Sequence, residues 1–161
     1  MFASYLANIE QLLDAQRRDV ALREALDLPR IAVALADPQL RVSVEHVRTW
    51  CEDWIRPPGA ERDAQGRDYE RLSRNVIERL TQPAATEAVP MRALRRLQLQ
   101  RHSRVPPHGF SEWRAQNLPP RDAETVQTCT ALLEAARRWY ARSAVHDAVV
   151  QANLARLAVL R

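Results

Sequence analysis

A chain of 161 residues, 46% of them hydrophobic and 27% charged, is long enough to bury a core and too apolar to remain disordered. Only three glycines and 6% aromatic residues argue against a β-sandwich or a β-barrel, which need many turns and many β-forming residues. The abundance of Ala, Leu, Arg, Glu and Gln predicts an all-α fold, because these residues favour helices. We expect one domain over residues 1–161, a bundle of about five to seven helices with a long C-terminal helix or helical hairpin.

Three helices are predicted in the first third of the chain. Apolar residues recur at helical spacing over residues 2–27, which indicates one helix there. Pro29 is expected to open a short second helix, because its fixed φ suits a first turn. Asp37 and Pro38 are typical of an N-cap followed by a first-turn proline, so the third helix is expected to follow them and to continue through Trp54.

Proline and glycine divide the middle of the chain. One helix is expected over residues 67–81 and another from near Pro90 to about His102, whereas Ser111 can cap only a short helix. The segments between them are predicted to be connectors, because they are rich in helix-breaking residues. These connectors lie near residues 56–67, 82–90, 103–110 and 117–121.

The C-terminal stretch from Asp122 to Leu160 contains neither glycine nor proline. It predicts either a single long helix or two helices joined near Ser143. Its last part, AVVQANLARLAVL, is apolar on nearly every side, and such a helix either lies at the centre of a core or faces a partner. We therefore expect it to bind another protein or to self-associate. The candidate protein-partner face consists of Val150, Leu154, Leu157 and Leu160.

The net positive charge of the chain lies in residues 91–121. This segment carries seven arginines and one acid, a local charge of +6, whereas the other 17 arginines and 19 acids give −2. Arginines bind phosphate and aromatic rings stack on bases, so the segment fits single-stranded RNA or DNA. It also fits an acidic protein surface, or a solvated helix face whose arginines pair with other helices. The candidate residues for an anionic partner are Arg92, Arg95, Arg96, Arg101, Arg104, Arg114, Phe110 and Trp113.

Two spacings of an arginine and a histidine resemble the motif of the HEPN ribonucleases, a helical family. They are Arg41 with His46 and Arg96 with His102. The resemblance implies RNA cleavage that depends on His46 or His102. With 24 arginines in the chain, about two such spacings among the four histidines arise by chance, and the polar residue that usually follows the arginine is absent from both. We therefore expect a protein that is not an enzyme and needs no cofactor.

The cysteines and two of the tryptophans are expected in the core. Cys51 and Cys129 each fall on an apolar helical stripe and lack the spacing of a zinc site, so they are expected to be buried free thiols and no metal is expected. Trp50 and Trp54 lie one turn apart and indicate either core packing or an aromatic anchor for a partner helix. Core packing is favoured, with Trp54 inside and Trp50 at the rim.

These patterns favour a non-enzymatic protein–protein interaction module, such as an adaptor, an assembly component or a regulator. The alternative is a nucleic-acid-binding protein that uses residues 91–121. No signal-peptide pattern and no apolar run of the ~20 residues that span a bilayer are found, so a cytoplasmic protein without membrane contact is expected. Alanine and arginine are both abundant and lysine is absent, as is typical of a GC-rich bacterium or its phage.

Overall fold

The computed structural model describes residues 1–60, 69–82, 89–99 and 118–159. Within these ranges the chain forms seven α-helices and no β-strand, which confirms the predicted all-α fold. The predicted short helix after Ser111 and most of the predicted connectors lie outside the described residues. The helices are α1 (Phe2–Asp14), α2 (Arg18–Ala36), α3 (Val44–Trp54), α4 (Tyr69–Thr81), α5 (Val89–Leu99), α6 (Pro120–Arg142) and α7 (Ala148–Val159), with a 3-10 turn at Ala144–His146.

Helix α2 lies at the centre of the bundle. It contacts α1, α3, α5, α6 and α7, and residues 27–35 in its second half are all buried. The longest helix, α6 with 23 residues, packs against α2. The side chains that α6 buries include the stripe that the periodicity predicts, namely Val126, Cys129, Leu133 and Ala136.

The chain breaks between α1 and α2 at Gln16, so the single helix predicted for the first 27 residues is wrong. Gln16 has a φ of +58°, in the left-handed region. Its amide donates to the Leu13 carbonyl at 3.0 Å, and the Arg17 amide donates to the Leu12 carbonyl at 2.8 Å. This pair of bonds is a Schellman motif, whose left-handed position is usually glycine. No glycine or proline marks this break, so the sequence pattern did not indicate it.

Pro29 lies inside α2 and does not open a helix, contrary to the prediction. A proline in a helix interior removes one backbone hydrogen bond and clashes with the preceding turn, at a cost of about 3 kcal/mol. Leu28, Ile31 and Leu35 around it are fully buried. Burial of each such side chain stabilises by roughly 1.5–3 kcal/mol, so tertiary packing outweighs the local preference of proline.

Helix α3 begins after Ser43 and not after Asp37. The Ser43 hydroxyl accepts an amide N–H of the first turn at 3.1 Å, as an N-cap does. Asp37 instead ends α2, and its carboxylate accepts the Gln39 amide at 2.7 Å in a local turn. Leu40 follows with a φ of +57°, which a helix does not allow, so the predicted early start of α3 is wrong.

Several helix C-termini are closed by side chains that belong to other helices. This arrangement suits a chain with only three glycines, since glycine is the usual residue for closing a helix. Each bond ties the end of one helix to the body of another. The donors and the carbonyls that accept from them are Arg30 to Leu80 at 3.0 Å, Arg138 to Trp54 at 2.6 Å, Asn153 to Leu35 at 3.0 Å and Gln98 to Leu157 at 3.2 Å.

The C-terminal stretch forms two helices that are joined at Ser143, as the second of the two predicted alternatives has it. After the 3-10 turn, Asp147 begins α7. Its Oδ1 accepts the amide of Val149 at 2.8 Å and that of Val150 at 3.2 Å. This carboxylate therefore serves as the N-cap and fixes the direction in which α7 leaves the turn.

Candidate functional site

The predicted anionic-partner site lies only partly within the described residues. Arg92, Arg95 and Arg96 belong to α5. The side chain of Arg95 is exposed, whereas that of Arg96 is partly buried. Arg95 is therefore oriented to meet an anionic partner, and Arg96 is not. The other candidates lie outside the described residues, namely Arg101, Arg104, Phe110, Trp113 and Arg114.

Arg96 pairs with two carboxylates of α2. Its Nη1 lies 3.0 Å from Glu24 Oε1 and 3.1 Å from Asp27 Oδ2. The Arg96 side chain is 25% exposed, and the two acidic side chains are 12% and 9% exposed. Because two carboxylates already balance its charge, this guanidinium attracts an external phosphate less strongly than the exposed Arg95 does. The sequence pattern placed Arg96 among the candidate residues for an anionic partner, and the acids that turn it inward lie about 70 residues earlier in the chain.

The two carboxylates belong to a longer chain of buried and partly buried polar groups, called here the α2 ion cluster: Tyr5, Glu24, Asp27, Arg30 and Arg96. The Tyr5 hydroxyl donates to Glu24 Oε2 at 2.9 Å, and Arg30 Nη1 lies 3.9 Å from Asp27 Oδ1. Burial, helped by the negative charge of Glu24, raises the pKa of Tyr5, and burial lowers the pKa of Arg30. Two acids and two arginines give the cluster no net charge, and it joins α1, α2 and α5.

The predicted protein-partner face of α7 lies largely in the core of the chain. Val150 and Leu157 are 1% and 4% exposed, and Leu154 is half-buried against the same core. Leu160 lies outside the described residues. Val150 and Leu157 are therefore not accessible to a partner in this fold, because this stripe of α7 packs inward. The sequence pattern identified the stripe but not which way it faces.

The opposite side of α7 is exposed and is also apolar. Its members repeat at a spacing of four, three and four residues, which aligns them along one side of a helix. Gln151 and Arg156 flank them and are exposed as well. Val145, in the turn before α7, is a further exposed hydrophobic residue. We call this side the outer face of α7, and its residues are Ala148, Ala152, Ala155 and Val159.

The side chains that could take part in catalysis do not form a reactive group within the described part of the chain. Burial raises the pKa of Cys51 and of Cys129 to about 12, so both are neutral thiols at pH 7. His46 and His146 are exposed, the first on α3 and the second in the 3-10 turn. In residues 1–60, 69–82, 89–99 and 118–159 no cluster of acidic, histidine and cysteine side chains is suited to a metal ion.

The two spacings that resemble the HEPN motif have different surroundings. Arg41 is exposed and pairs with Asp37 at 3.4 Å, and His46 lies in the first turn of α3. Arg96 is held in the α2 ion cluster, and His102 lies outside the described residues. The two internal ion pairs of Arg96 already balance the charge of its guanidinium.

The tryptophans of α3 are arranged in the reverse of the predicted order. Trp50 is buried with Val47 and Cys51, whereas Trp54 is half-buried at the edge of the same face. The Trp50 indole N–H is buried and finds no acceptor among the described residues. The prediction of core packing fits this burial for Trp50, but its assignment of Trp54 to the inside is wrong. The reason is that the buried face of α3 centres on Val47, Trp50 and Cys51.

No protein-family model matches this chain, and no curated protein or solved structure is similar to it. Among the described residues, every helix is too short or too polar to cross a lipid bilayer.

Proposed function

We propose that this chain is a non-enzymatic protein–protein interaction module, working as an adaptor, an assembly component or a regulator. A helix of the partner docks on the outer face of α7. One observation carries the proposal: α7 is apolar on both sides, although only one side is buried. Val150 and Leu157 fill the core on the inward side, and the alanines and Val159 of the outer face remain in solvent.

The chemistry of the outer face suits another helix. Alternating spacings of three and four residues are those of a seam between two packed helices. Alanine lets the two backbones come close, and the polar side chains of Gln151 and Arg156 would form the rim. A helix of 12 residues is only about 18 Å long, so the outer face of α7 offers a partner helix a small contact area. We therefore expect a modest and reversible interface.

The test is site-specific photo-crosslinking in cells that naturally carry this chain. A benzoyl-phenylalanine replaces Ala152 on the outer face or, as a matched control, Arg74 on the exposed side of α4. We expect a discrete adduct from position 152, either with a second copy or with another protein, and none from position 74. Ala148→Arg and Ala155→Arg should abolish the adduct and leave the helical circular dichroism unchanged.

Two results would overturn the proposal. One is the absence of a discrete adduct at position 152 while the protein is folded. The other is an adduct that persists in Ala148→Arg and Ala155→Arg, because an arginine at the seam would separate the two helices.

The second candidate function is nucleic-acid binding through residues 91–121. The exposed Arg95 on α5 favours it, because it belongs to the segment with a local charge of +6. The test is fluorescence anisotropy of labelled single- and double-stranded RNA and DNA at two salt concentrations. Binding at about micromolar concentration that weakens with salt and is lost in Arg95→Glu, but not in Arg74→Glu, would support it. Lack of binding at low salt would eliminate it.

A further inference from the structure

By its described side chains, those of residues 94–99, helix α5 is attached to the bundle through Leu94, Arg96, Leu97 and Gln98. Its main contacts are with α2 and α7, and between residues 94 and 99 only Leu94 and Leu97 are fully buried. Leu99 is 71% exposed. Its described polar ties are the ion pairs of Arg96 and the bond from Gln98 to α7. A helix of 11 residues is marginal on its own in water, so α5 stays helical largely because it is docked.

The acids that hold Arg96 would not lose every partner if α5 moved away. Glu24 would keep the Tyr5 hydroxyl at 2.9 Å, and Asp27 would keep Arg30 at 3.9 Å. A buried carboxylate that loses all of its partners is strongly destabilising, and the α2 ion cluster avoids that cost. Arg96 itself would return to water. Each carboxylate therefore keeps one partner when α5 departs, and the net charge of the remaining cluster becomes −1.

Helix α7 is attached in a different way. Its Asn153 is buried and donates to the carbonyls of Leu35 and Asp37 at 3.0 and 2.8 Å. The two carbonyls lie at the end of α2, whereas their donor belongs to α7. Both carbonyls would therefore lose this donor if α7 moved. Departure of α7 would thus leave the Leu35 carbonyl without a donor, whereas the Asp37 carbonyl would keep the Leu40 amide at 3.0 Å. Departure of α5 would leave each carboxylate of the α2 ion cluster with one partner.

We propose that α5 is a strap that opens as a unit from α2 and α7 while the rest of the bundle stays folded. The pairing of Arg96 with Glu24 and Asp27 sets how often it opens. In the closed state Arg96 is neutralised and the surface beneath Leu94 and Leu97 is covered. In the open state the guanidinium and that apolar surface become accessible together, so the strap controls a cationic and an apolar site with one movement.

The first test is native-state hydrogen exchange of the whole chain at low concentrations of denaturant, followed by mass spectrometry of peptides. We expect the amides of α5 to exchange together, through an opening that depends on denaturant less steeply than global unfolding does, because it exposes less surface. The amides of α6 should exchange more slowly and through global unfolding. If α5 and α6 exchange through the same denaturant-dependent unfolding, α5 does not open separately and the proposal is overturned.

The second test compares Arg96→Gln with Arg95→Gln, a matched change at the exposed neighbour. Arg96→Gln should speed the exchange of α5 about tenfold or more, the effect expected from losing bonds to charged groups, and leave α6 unchanged. Arg95→Gln should leave both unchanged. If the amides of α5 exchange at the same rate in Arg96→Gln and in the unchanged protein, the ion pairs of Arg96 do not set how often α5 opens. If Arg96→Gln does not fold, the experiment on the unchanged chain decides.

Discussion

Arginine performs structural roles in this protein that its composition alone did not reveal. Arg30 and Arg138 bind the carbonyls at the ends of α4 and α3, and Arg96 bridges two acids of α2. A planar guanidinium has five donors in a fixed fork, so it can reach several acceptors at once. The sequence showed where arginines are abundant, but their partners lie far away along the chain and become neighbours only in the fold.

Gln16→Gly should stabilise the protein, because Gln16 has a φ of +58° and glycine adopts this region without steric cost. The left-handed conformation costs other residues roughly 1–2 kcal/mol, so we expect a gain of about 1 kcal/mol in the free energy of unfolding in urea. The control is Gln11→Gly within α1, which should destabilise by about the same amount. If both changes destabilise, the conformation of Gln16 carries no strain.

The sequence predicted the helices well where the apolar period is long and the flanking residues break helices. Helix α4 and the division of the C-terminal stretch at Ser143 fall where they were predicted. The boundaries at Gln16 and Leu40 were missed, since non-glycine residues adopt left-handed backbone there only because the surrounding structure requires it. Pro29 was misassigned for the related reason that burial around it outweighs its local preference.

Asn153→Ala should weaken the attachment of α7 to α2. The substitution removes the donor to the carbonyls of Leu35 and Asp37 and leaves a buried carbonyl unsatisfied. We expect a loss of roughly 1–3 kcal/mol in the free energy of unfolding, measured by chemical denaturation. The control is Gln151→Ala, which removes one bond to the Ala144 carbonyl at an exposed position and should cost under about 1 kcal/mol. Equal losses would contradict a special role for Asn153.

For the molecule as a whole, the sequence predicted the composition of the candidate surfaces better than their orientation. The apolar character of the last helix and the basic character of residues 91–121 can be read from the sequence. The sequence could not show which side of α7 is buried, because both sides are apolar. Packing against α2 determines which side faces the core. The inward turn of Arg96 likewise depends on acids of α2 that only the fold brings near.

Stability should fall at alkaline pH, because unfolding exposes acidic groups that the folded protein keeps protonated. Burial raises the pKa of Cys51 and Cys129 to about 12, whereas a thiol in the unfolded chain has a pKa of about 8.5. A group whose pKa is higher in the folded state contributes its full stability at pH values below its pKa in the unfolded chain. This contribution is lost as the pH rises toward the pKa in the folded protein. The raised pKa of Tyr5 acts in the same direction above about pH 10.

The measurement is the urea midpoint at pH 8 and at pH 10.5. Each thiol should lower the free energy of unfolding by roughly 2 kcal/mol over this interval, and Tyr5 should add to the loss. The double variant Cys51→Ala and Cys129→Ala should start less stable at pH 8, because cavities replace buried sulfur, but should lose less on going to pH 10.5. A variant that loses as much stability as the unchanged protein would show that the thiols do not contribute, and would assign the alkaline loss to Tyr5.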